Sequence, residues 1–231
     1  MIKEFAQGST ILVDKPINWT SFDVVNKIRW HLRQKLGVKK IKVGHAGTLD
    51  PLATGLLILC IGKHTKTIES LIQDDKTYSG KILLGKTTPS YDLETKFDEV
   101  YETDHITEEL IEKARTSFLG SQKQVPPIFS AKQIDGKRAY ELARKGIKVE
   151  LKSNAIVIES FELKATEMPI IEFSVKCSKG TYIRSLANDF GKKLKSGGTL
   201  IELRRLESGQ FNIEDSKSVD EWIQFIQDSP L

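Results

Sequence analysis

The chain of 231 residues contains only two cysteines, and both lie in apolar, strand-like runs. It has no CxxC motif and no Cys/His cluster, so the sequence predicts free, buried thiols in a reducing compartment and no metal site. No apolar run approaches the length of a membrane span, and the N-terminal segment lacks the apolar core of a signal peptide. These absences exclude a disulfide-stabilised secreted protein and a helical membrane protein, and they predict a cytoplasmic one.

Acidic residues are absent between Asp23 and Asp50, although the whole chain has a formal net charge of only +4. This segment instead contains Lys27, Arg29, Arg33, Lys35, Lys39, Lys40 and Lys42. A localised basic field suits a nucleic-acid backbone, and binding through it should weaken with salt. We therefore expect Lys39, Lys40 and Lys42 to contact a phosphate backbone, although a solvated helix face explains the same pattern.

Hydrophobic periodicity predicts strands and helices that mix without regular βαβ alternation. The predicted strands are 11–13, 56–61, 78–84, 156–158, 171–177 and 200–206, and the predicted helices are 21–36, 65–72, 107–120, 139–145, 183–194 and 218–227. No internal repeat, low-complexity tract or linker divides the chain. The expected fold class is therefore α+β, with one domain over 1–231 whose core spans about 10–210, around a mixed, largely antiparallel sheet.

Residues 80–87, GKILLGKT, formally satisfy the P-loop pattern GxxxxGK[ST]. A P-loop needs a flexible loop that opens a helix, whereas the interior of this segment is apolar and β-prone and Pro89 soon follows. The context therefore predicts a strand and argues against a nucleotide hydrolase.

The segment 44–63, GHAGTLDPLATGLLILCIGK, holds a single acid, Asp50, between glycines and a continuous apolar run. Asp50 precedes Pro51, which favours an extended backbone at this position. One carboxylate on a glycine-rich loop beside a buried strand suits a reactive group. On local pattern alone an Asp before Pro is more often a turn residue, and a lone histidine such as His45 is more often a hydrogen-bonded structural residue.

Three motifs together closely resemble the TruB family of pseudouridine synthases: GHAGTLDPLATGLL at 44–57, VDKP before it at 13–16, and KGTYIRSL at 179–186. The nearest match is the stand-alone bacterial branch, which modifies uridine 55 in the T-loop of tRNA, and the resemblance covers most of 11–206. It implies a central mixed sheet flanked by helices, with an RNA-binding cleft across it. It also implies an isomerase that flips its target base and needs no cofactor and no metal.

The resemblance implies a role for each catalytic residue. Asp50 matches the essential aspartate, which acts as a nucleophile or as the base that starts elimination at the sugar. Arg184 matches the cationic partner that keeps this carboxylate ionised, and Tyr78 matches the tyrosine that stacks on the uracil and assists proton transfer at C5.

The resemblance also implies residues that bind the substrate. His45 matches the histidine that enters the gap left by the flipped base. Tyr182 and Leu203 match positions that line the uracil pocket, and Lys15, in VDKP, matches a lysine near the active site.

Two departures from the family pattern bear on partners. The segment 88–92, TPSYD, stands where relatives commonly have a TDTxD-like sequence, and only some twenty-five residues follow Leu206. The second departure predicts that the C-terminal RNA-binding domain of many relatives, the PUA domain, is not present. We therefore expect a monomer that binds the T-arm of tRNA without a guide RNA. A tRNA-folding chaperone, and the same chemistry on a T-loop-like mRNA or rRNA, are the alternatives.

Overall fold

The computed structural model describes residues 2–130, 132–134, 136–139 and 151–231. The chain forms two compact units. The first unit comprises Met1–Tyr78 and Leu203–Leu231, and the second unit comprises Ser79–Glu202.

The described strands are β1 (Gly8–Lys15), β2 (Val43–His45), β3 (Ala53–Gly62), β4 (Lys76–Leu84), β5 (Lys86–Thr87), β6 (Glu99–Val100), β7 (Gly120–Gln124), β8 (Gln133–Ile134), β9 (Lys137–Arg138), β10 (Asn154–Glu167), β11 (Ile170–Cys177), β12 (Gly198–Ser208), β13 (Phe211–Asn212) and β14 (Lys217–Ser218). The described α-helices are α1 (Ile2–Gln7), α2 (Ser21–Leu36), α3 (Ile68–Ile72), α4 (Glu108–Thr116), α5 (Ile183–Lys193) and α6 (Val219–Asp228). Two 3-10 turns span Lys63–Thr67 and Ile213–Asp215.

The sheet of the first unit is mixed. Its strands follow the order β14-β1-β3-β12, in which β1 is parallel to β14 and antiparallel to β3, and β3 is parallel to β12. The run from Leu56 to Ile61 in β3 is fully buried, which confirms the buried strand predicted there. Gly55 is required where β3 meets β12, since its φ is +98° and an added Cβ would lie 2.3 Å from the carbonyl oxygen of Arg205.

Helix α2 begins and ends where its sequence predicts. Thr20 and Asp23 form a reciprocal capping box, and Gly37 ends the helix in the left-handed conformation with φ +66°. Its buried side consists of Ser21, Val24, Val25, Ile28 and Leu32. The predicted capping box of the C-terminal helix α6, formed by Ser218 and Glu221, is likewise present.

The second unit is built on antiparallel strands. Strand β10 lies between β11 and β7 and is antiparallel to both, and β11 in turn neighbours β4. A cluster of phenylalanine rings joins the sheet to α5, because Phe161 contacts both Phe173 and Phe190 at centroid distances of 5.8 and 5.6 Å. The α+β class and the mixed sheet with flanking helices agree with the prediction.

Several local predictions need correction. The predicted helix over 107–120 ends at Thr116, because Gly120 has φ +82° and starts β7 instead. The helix predicted over 65–72 divides into a 3-10 turn and the short α3, and α1 was not predicted. Residues 80–84 lie in β4, which confirms the strand predicted there in place of a P-loop.

The predicted helix over 139–145 falls largely outside the described residues. Within them, no helix is long and apolar enough to cross a membrane.

Candidate active site

Asp50 lies in a loop that joins two antiparallel strands of the first unit. Strand β2 pairs with β3 so that His45 lies opposite Leu59, and the Ala46 N–H then donates to the Ile58 carbonyl at 2.9 Å. The chain returns to β3 after a turn closed by the Ala53 N–H on the Asp50 carbonyl at 3.1 Å. This short loop holds the half-buried Asp50 next to the most buried strand of the unit.

The residues on both sides of Asp50 are fixed through their backbones. The hydroxyl of Ser21, in the first turn of α2, accepts from the Leu49 N–H at 2.8 Å and donates to the Leu49 carbonyl at 3.1 Å. The Asn18 N–H donates to the Pro51 carbonyl at 2.8 Å. Because neither contact uses the carboxylate, these bonds position Asp50 without engaging its reacting group.

Lys15 is fully buried beside this loop. Its ammonium group donates to the carbonyls of Trp19 at 2.6 Å, Pro16 at 2.9 Å and Pro51 at 3.4 Å. Burial lowers the pKa of Lys15 to about 8, although the negative charge of Asp50 opposes this shift. The structure thus places Lys15 near Asp50, with its donors on protein carbonyls. A role of Lys15 in the active site and a contact between Lys15 and RNA stay predictions.

Arg205 is a buried residue of this site that the sequence analysis missed. Its side chain is 1% exposed, and it donates to the Leu56 carbonyl at 2.7 Å and to the Gly47 carbonyl at 3.1 Å. These two hydrogen bonds connect β12 to the chain before and after Asp50. The only sequence signal was an arginine in an otherwise strand-like run, which does not by itself indicate burial.

The surroundings of the half-buried His45 favour its neutral form. Burial lowers its pKa, the positive charge of Arg205 lowers it further, and the backbone of Gly47 partly offsets both effects. A neutral imidazole can enter a gap between stacked bases with a smaller desolvation cost than an imidazolium.

The remaining predicted residues of the first unit lie on two strands. Leu203 pairs with Ala53 in the parallel register of β12 and β3, so it is opposite a residue three positions beyond Asp50. Tyr78 lies in β4 and is 9% exposed.

Arg184 occupies the first turn of α5 in the second unit and is 5% exposed. Its Nη1 donates to the Phe129 carbonyl at 2.9 Å and to the Ser90 carbonyl at 3.4 Å, and its Nε lies 3.6 Å from Oδ2 of Asp92. The side chain is therefore held by the segment after β7 and by the loop 88–95. Asp50 belongs to the first unit, so the predicted pairing of Arg184 with Asp50 stays a prediction.

Tyr182 immediately precedes α5 and is fixed through its backbone. The side-chain amide of the buried Gln124 accepts from the Tyr182 N–H at 2.8 Å and donates to the Tyr182 carbonyl at 3.0 Å. Ser185 also donates to the Val125 carbonyl at 2.8 Å, so the start of α5 is attached to the end of β7.

Asp92 belongs to the segment 88–92, and it stands where the TDTxD-like pattern of the relatives also has its last aspartate. Its contacts were not predicted. The loop is closed by hydroxyl groups: Thr88 and Ser90 both donate to the Asp92 carbonyl, at 2.7 and 3.1 Å. The Asp92 carboxylate accepts from the Glu94 N–H at 2.9 Å. This loop thus presents a buried carboxylate to Arg184 in spite of its divergent sequence.

Lys39, Lys40 and Lys42 are exposed in the segment between α2 and β2. The backbone of Lys42 is fixed, because its carbonyl accepts from the Gly62 N–H at 2.8 Å. The three ammonium groups are therefore accessible to a phosphate backbone. Across the described parts of the chain, no group of three or more His, Cys, Asp or Glu residues is arranged to hold a metal ion.

Two comparisons identify the class of protein. The family described as TruB family pseudouridylate synthase (N terminal domain) matches residues 33–183. A "tRNA pseudouridine synthase B" from Phocaeicola vulgatus is 54% identical over 95% of this chain and 94% of its own, and one from Parabacteroides distasonis is 52% identical over 97% and 95%. A third, from Flavobacterium johnsoniae, is 50% identical over 93% and 94%. The chain belongs to the TruB family of pseudouridine synthases.

The fold is also similar to solved structures. A chain of the "Crystal Structure of a Cbf5-Nop10-Gar1 Complex" matches 97% of this chain with a TM-score of 0.73 and 26% identity. A chain of the "archaeal box H/ACA sRNP Nop10-Cbf5 complex" matches 98% with a TM-score of 0.70 and 23% identity. This chain spans 56% of the length of each of them. The second likeness supports the fold alone.

Proposed function

We propose that this chain isomerises uridine 55 in the T-loop of tRNA to pseudouridine. The observation that carries the proposal is Asp50: a single carboxylate on a loop held at Gly47, Leu49 and Pro51, in a chain whose curated relatives are named tRNA pseudouridine synthase B. The reaction breaks the bond between C1′ of the ribose and N1 of uracil, turns the base, and forms a bond from C1′ to C5. The proton on C5 leaves to solvent and N1 gains one, so atoms balance without a redox partner.

Asp50 acts at the sugar in this proposal. It either attacks C1′ as a nucleophile or removes a proton from the ribose to start elimination, and both routes require the ionised carboxylate. The rigid loop supports either role, because a preorganised group loses little conformational entropy on reaching its reacting geometry.

Arg184 is proposed to keep Asp50 ionised, Tyr78 to stack on the extruded uracil and assist proton transfer at C5, and His45 to fill the gap in the RNA stack. Stacking of a base on an aromatic ring contributes about 1–3 kcal/mol, which offsets part of the unstacking cost. Tyr182 and Leu203 are proposed to line the uracil pocket.

The proposed partner is the T-arm of tRNA, bound without a guide RNA by a monomer that forms a single catalytic domain. The names of the curated relatives support tRNA as the substrate. The cytoplasm, where unmodified tRNA is available, is the proposed place of action.

The test is release of tritium from tRNA labelled at C5 of uracil, followed by mapping of the modified position. Wild type should release tritium from uridine 55, and Asp50→Asn should release none while its Kd for tRNA stays within about threefold, since an amide keeps the size of the carboxylate. Substantial release by Asp50→Asn would remove Asp50 from its role. Tight binding by wild type without release would favour an RNA chaperone, and release mapped elsewhere would favour another T-loop-like RNA.

A further inference from the structure

The first unit has an open groove outside the residues assigned so far. It has a volume of about 680 Å³ and is lined by Asn18, Trp19, Asp23, Asn26, Lys27 and Trp30. This volume lies within the usual range for sites that hold a small ligand, about 300–1,000 Å³.

One face of α2 forms the floor of the groove. Asp23, Asn26, Lys27 and Trp30 stand at positions i, i+3, i+4 and i+7, so they follow one stripe of the helix. Asn18 and Trp19 complete the groove from the turn that precedes the helix. The carboxylate of Asp23 is turned to the helix cap, where it accepts from the N–H and the hydroxyl of Thr20.

Exposed aromatic rings stand in the groove and beside it. Trp30, which lines the groove, is 53% exposed, although the opposite side of α2 already supplies the core contacts. Phe22, which lies outside the groove on the neighbouring surface of α2, is 59% exposed. The guanidinium of Arg29 lies over the Phe22 ring, 5.8 Å from its centroid. Proteins that bind single-stranded RNA combine exposed aromatic rings with nearby cations in this way.

The charge of the surroundings favours RNA over a protein partner. Helix α2 and the segment after it carry no acid from residue 24 to 49, and their basic residues include Lys27, Arg29 and Arg33. The groove also adjoins the loop of Asp50, because Asn18 bonds to Pro51 and Ser21 bonds to Leu49. RNA whose target base reaches Asp50 therefore has nearby nucleotides within reach of the groove.

We propose that this groove binds an unpaired nucleotide of the T-arm, as a second RNA subsite beside the one for the target base. The base stacks on Trp30, and Lys27 pairs with a phosphate. The side-chain amide of Asn18 and the NH2 group of Asn26, whose Oδ1 already accepts from Arg29, bond to the polar edge of the base. The inference rests on the proposed function only in taking the T-arm as the ligand.

The chain offers a direct reporter, because its three tryptophans are Trp19, Trp30 and Trp222. A Trp222→Phe variant keeps only the two indoles of the groove. Titration with a T-arm hairpin should quench its fluorescence and saturate at the concentration that saturates binding. The matched control is Trp19→Phe with Trp30→Phe, which keeps only Trp222, whose indole N–H donates to the Leu12 carbonyl; its emission should not change.

Affinity provides the second readout. Trp30→Ala should raise Kd for the hairpin about tenfold, whereas Trp30→Phe, which keeps a ring, should stay within about threefold of wild type. Lys27→Gln should reduce the slope of log K against log salt by about one, whereas Lys66→Gln, an exposed lysine of the same unit outside the groove, should leave it unchanged. Thermal unfolding of each variant verifies that the fold is intact.

Unchanged Kd in Trp30→Ala and an absence of quenching would overturn the subsite. Quenching by whole tRNA but not by the hairpin would overturn its assignment to the T-arm. If Trp30→Ala kept the RNA affinity of wild type but lost self-association, the Trp30 indole would instead belong to a contact between copies of the chain. Because tritium release by wild type is measured separately, failure of the subsite is distinguishable from failure of the proposed function.

Discussion

The Ser21 hydroxyl holds the backbone of Leu49 through two hydrogen bonds, one to its N–H at 2.8 Å and one to its carbonyl at 3.1 Å. Both residues are buried, and Leu49 immediately precedes Asp50. This contact links the first turn of α2 to the loop that carries the candidate catalytic carboxylate.

Ser21→Ala should therefore impair catalysis as well as stability. Loss of the hydroxyl leaves two buried backbone groups without their partner, which should lower the free energy of unfolding by about 2 kcal/mol. Displacement of Asp50 should reduce the single-turnover rate more than tRNA affinity. Ser70→Ala is the control, since its hydroxyl donates only to the exposed turn at Thr67. Equal rates for both variants would show that the contact does not position Asp50.

Lys15 should make stability depend on pH. Its pKa is lowered from 10.5 to about 8 in the folded protein, so between these values the unfolded chain binds more protons than the folded one. The free energy of unfolding of wild type, relative to Lys15→Met, should therefore rise as pH increases from about 8 towards 10.5. Urea denaturation of both proteins at pH 7.5 and 9.5 measures this difference, and a difference that falls with pH contradicts the burial of a charged amine.

Asp92→Asn should destabilise the second unit. The substitution leaves the buried guanidinium of Arg184 with less compensating negative charge, and removal of one partner from a buried ion pair typically costs about 3–5 kcal/mol. Thermal denaturation measures the loss. Asp98→Asn is the matched control, because Asp98 is exposed and accepts from Thr87. Equal melting temperatures for the two variants would mean that the contact with Arg184 contributes no stability.

Arg184→Lys should affect chemistry more than binding. The guanidinium reaches two carbonyls through Nη1 while Nε faces Asp92, and a single ammonium group cannot reproduce this arrangement. We expect the single-turnover rate of pseudouridine formation to fall at least about tenfold, with Kd for tRNA within about threefold. A wild-type rate would refute the need for a planar cation at this position.

Replacement of Lys39, Lys40 and Lys42 by Gln should weaken tRNA binding and flatten its salt dependence. Each lost phosphate contact reduces the slope of log K against log salt by about 0.7–0.9. The control variant replaces the exposed lysines Lys3, Lys113 and Lys123, which lie outside the acid-free segment. If both variants changed the slope equally, the effect would come from net charge and not from this segment.

Local features of the fold could be predicted because the responsible residues are close in sequence. Thr20 and Asp23 cap α2, Gly37 ends it, and the run before Gly62 forms a buried strand. The end of α4 was predicted incorrectly. A glycine can stand at the end of a helix or at the start of a strand, so Gly120 by itself does not show which of the two it marks. The motifs around Asp50 and Arg184 were sufficient to predict the family.

The sequence by itself determined where the capped helices α2 and α6 begin, where the buried strand β3 lies, and which carboxylate stands on the glycine-rich loop. Only the tertiary structure decided what holds that loop: Ser21 reaches Leu49 across 28 positions, and Arg205 reaches Gly47 across 158. It also decided that Asp92 faces Arg184, across 92 positions of the chain. The physical reason is that burial, and the hydrogen bonds that buried polar groups require, arise from strand pairing and packing between distant segments, which no local pattern encodes.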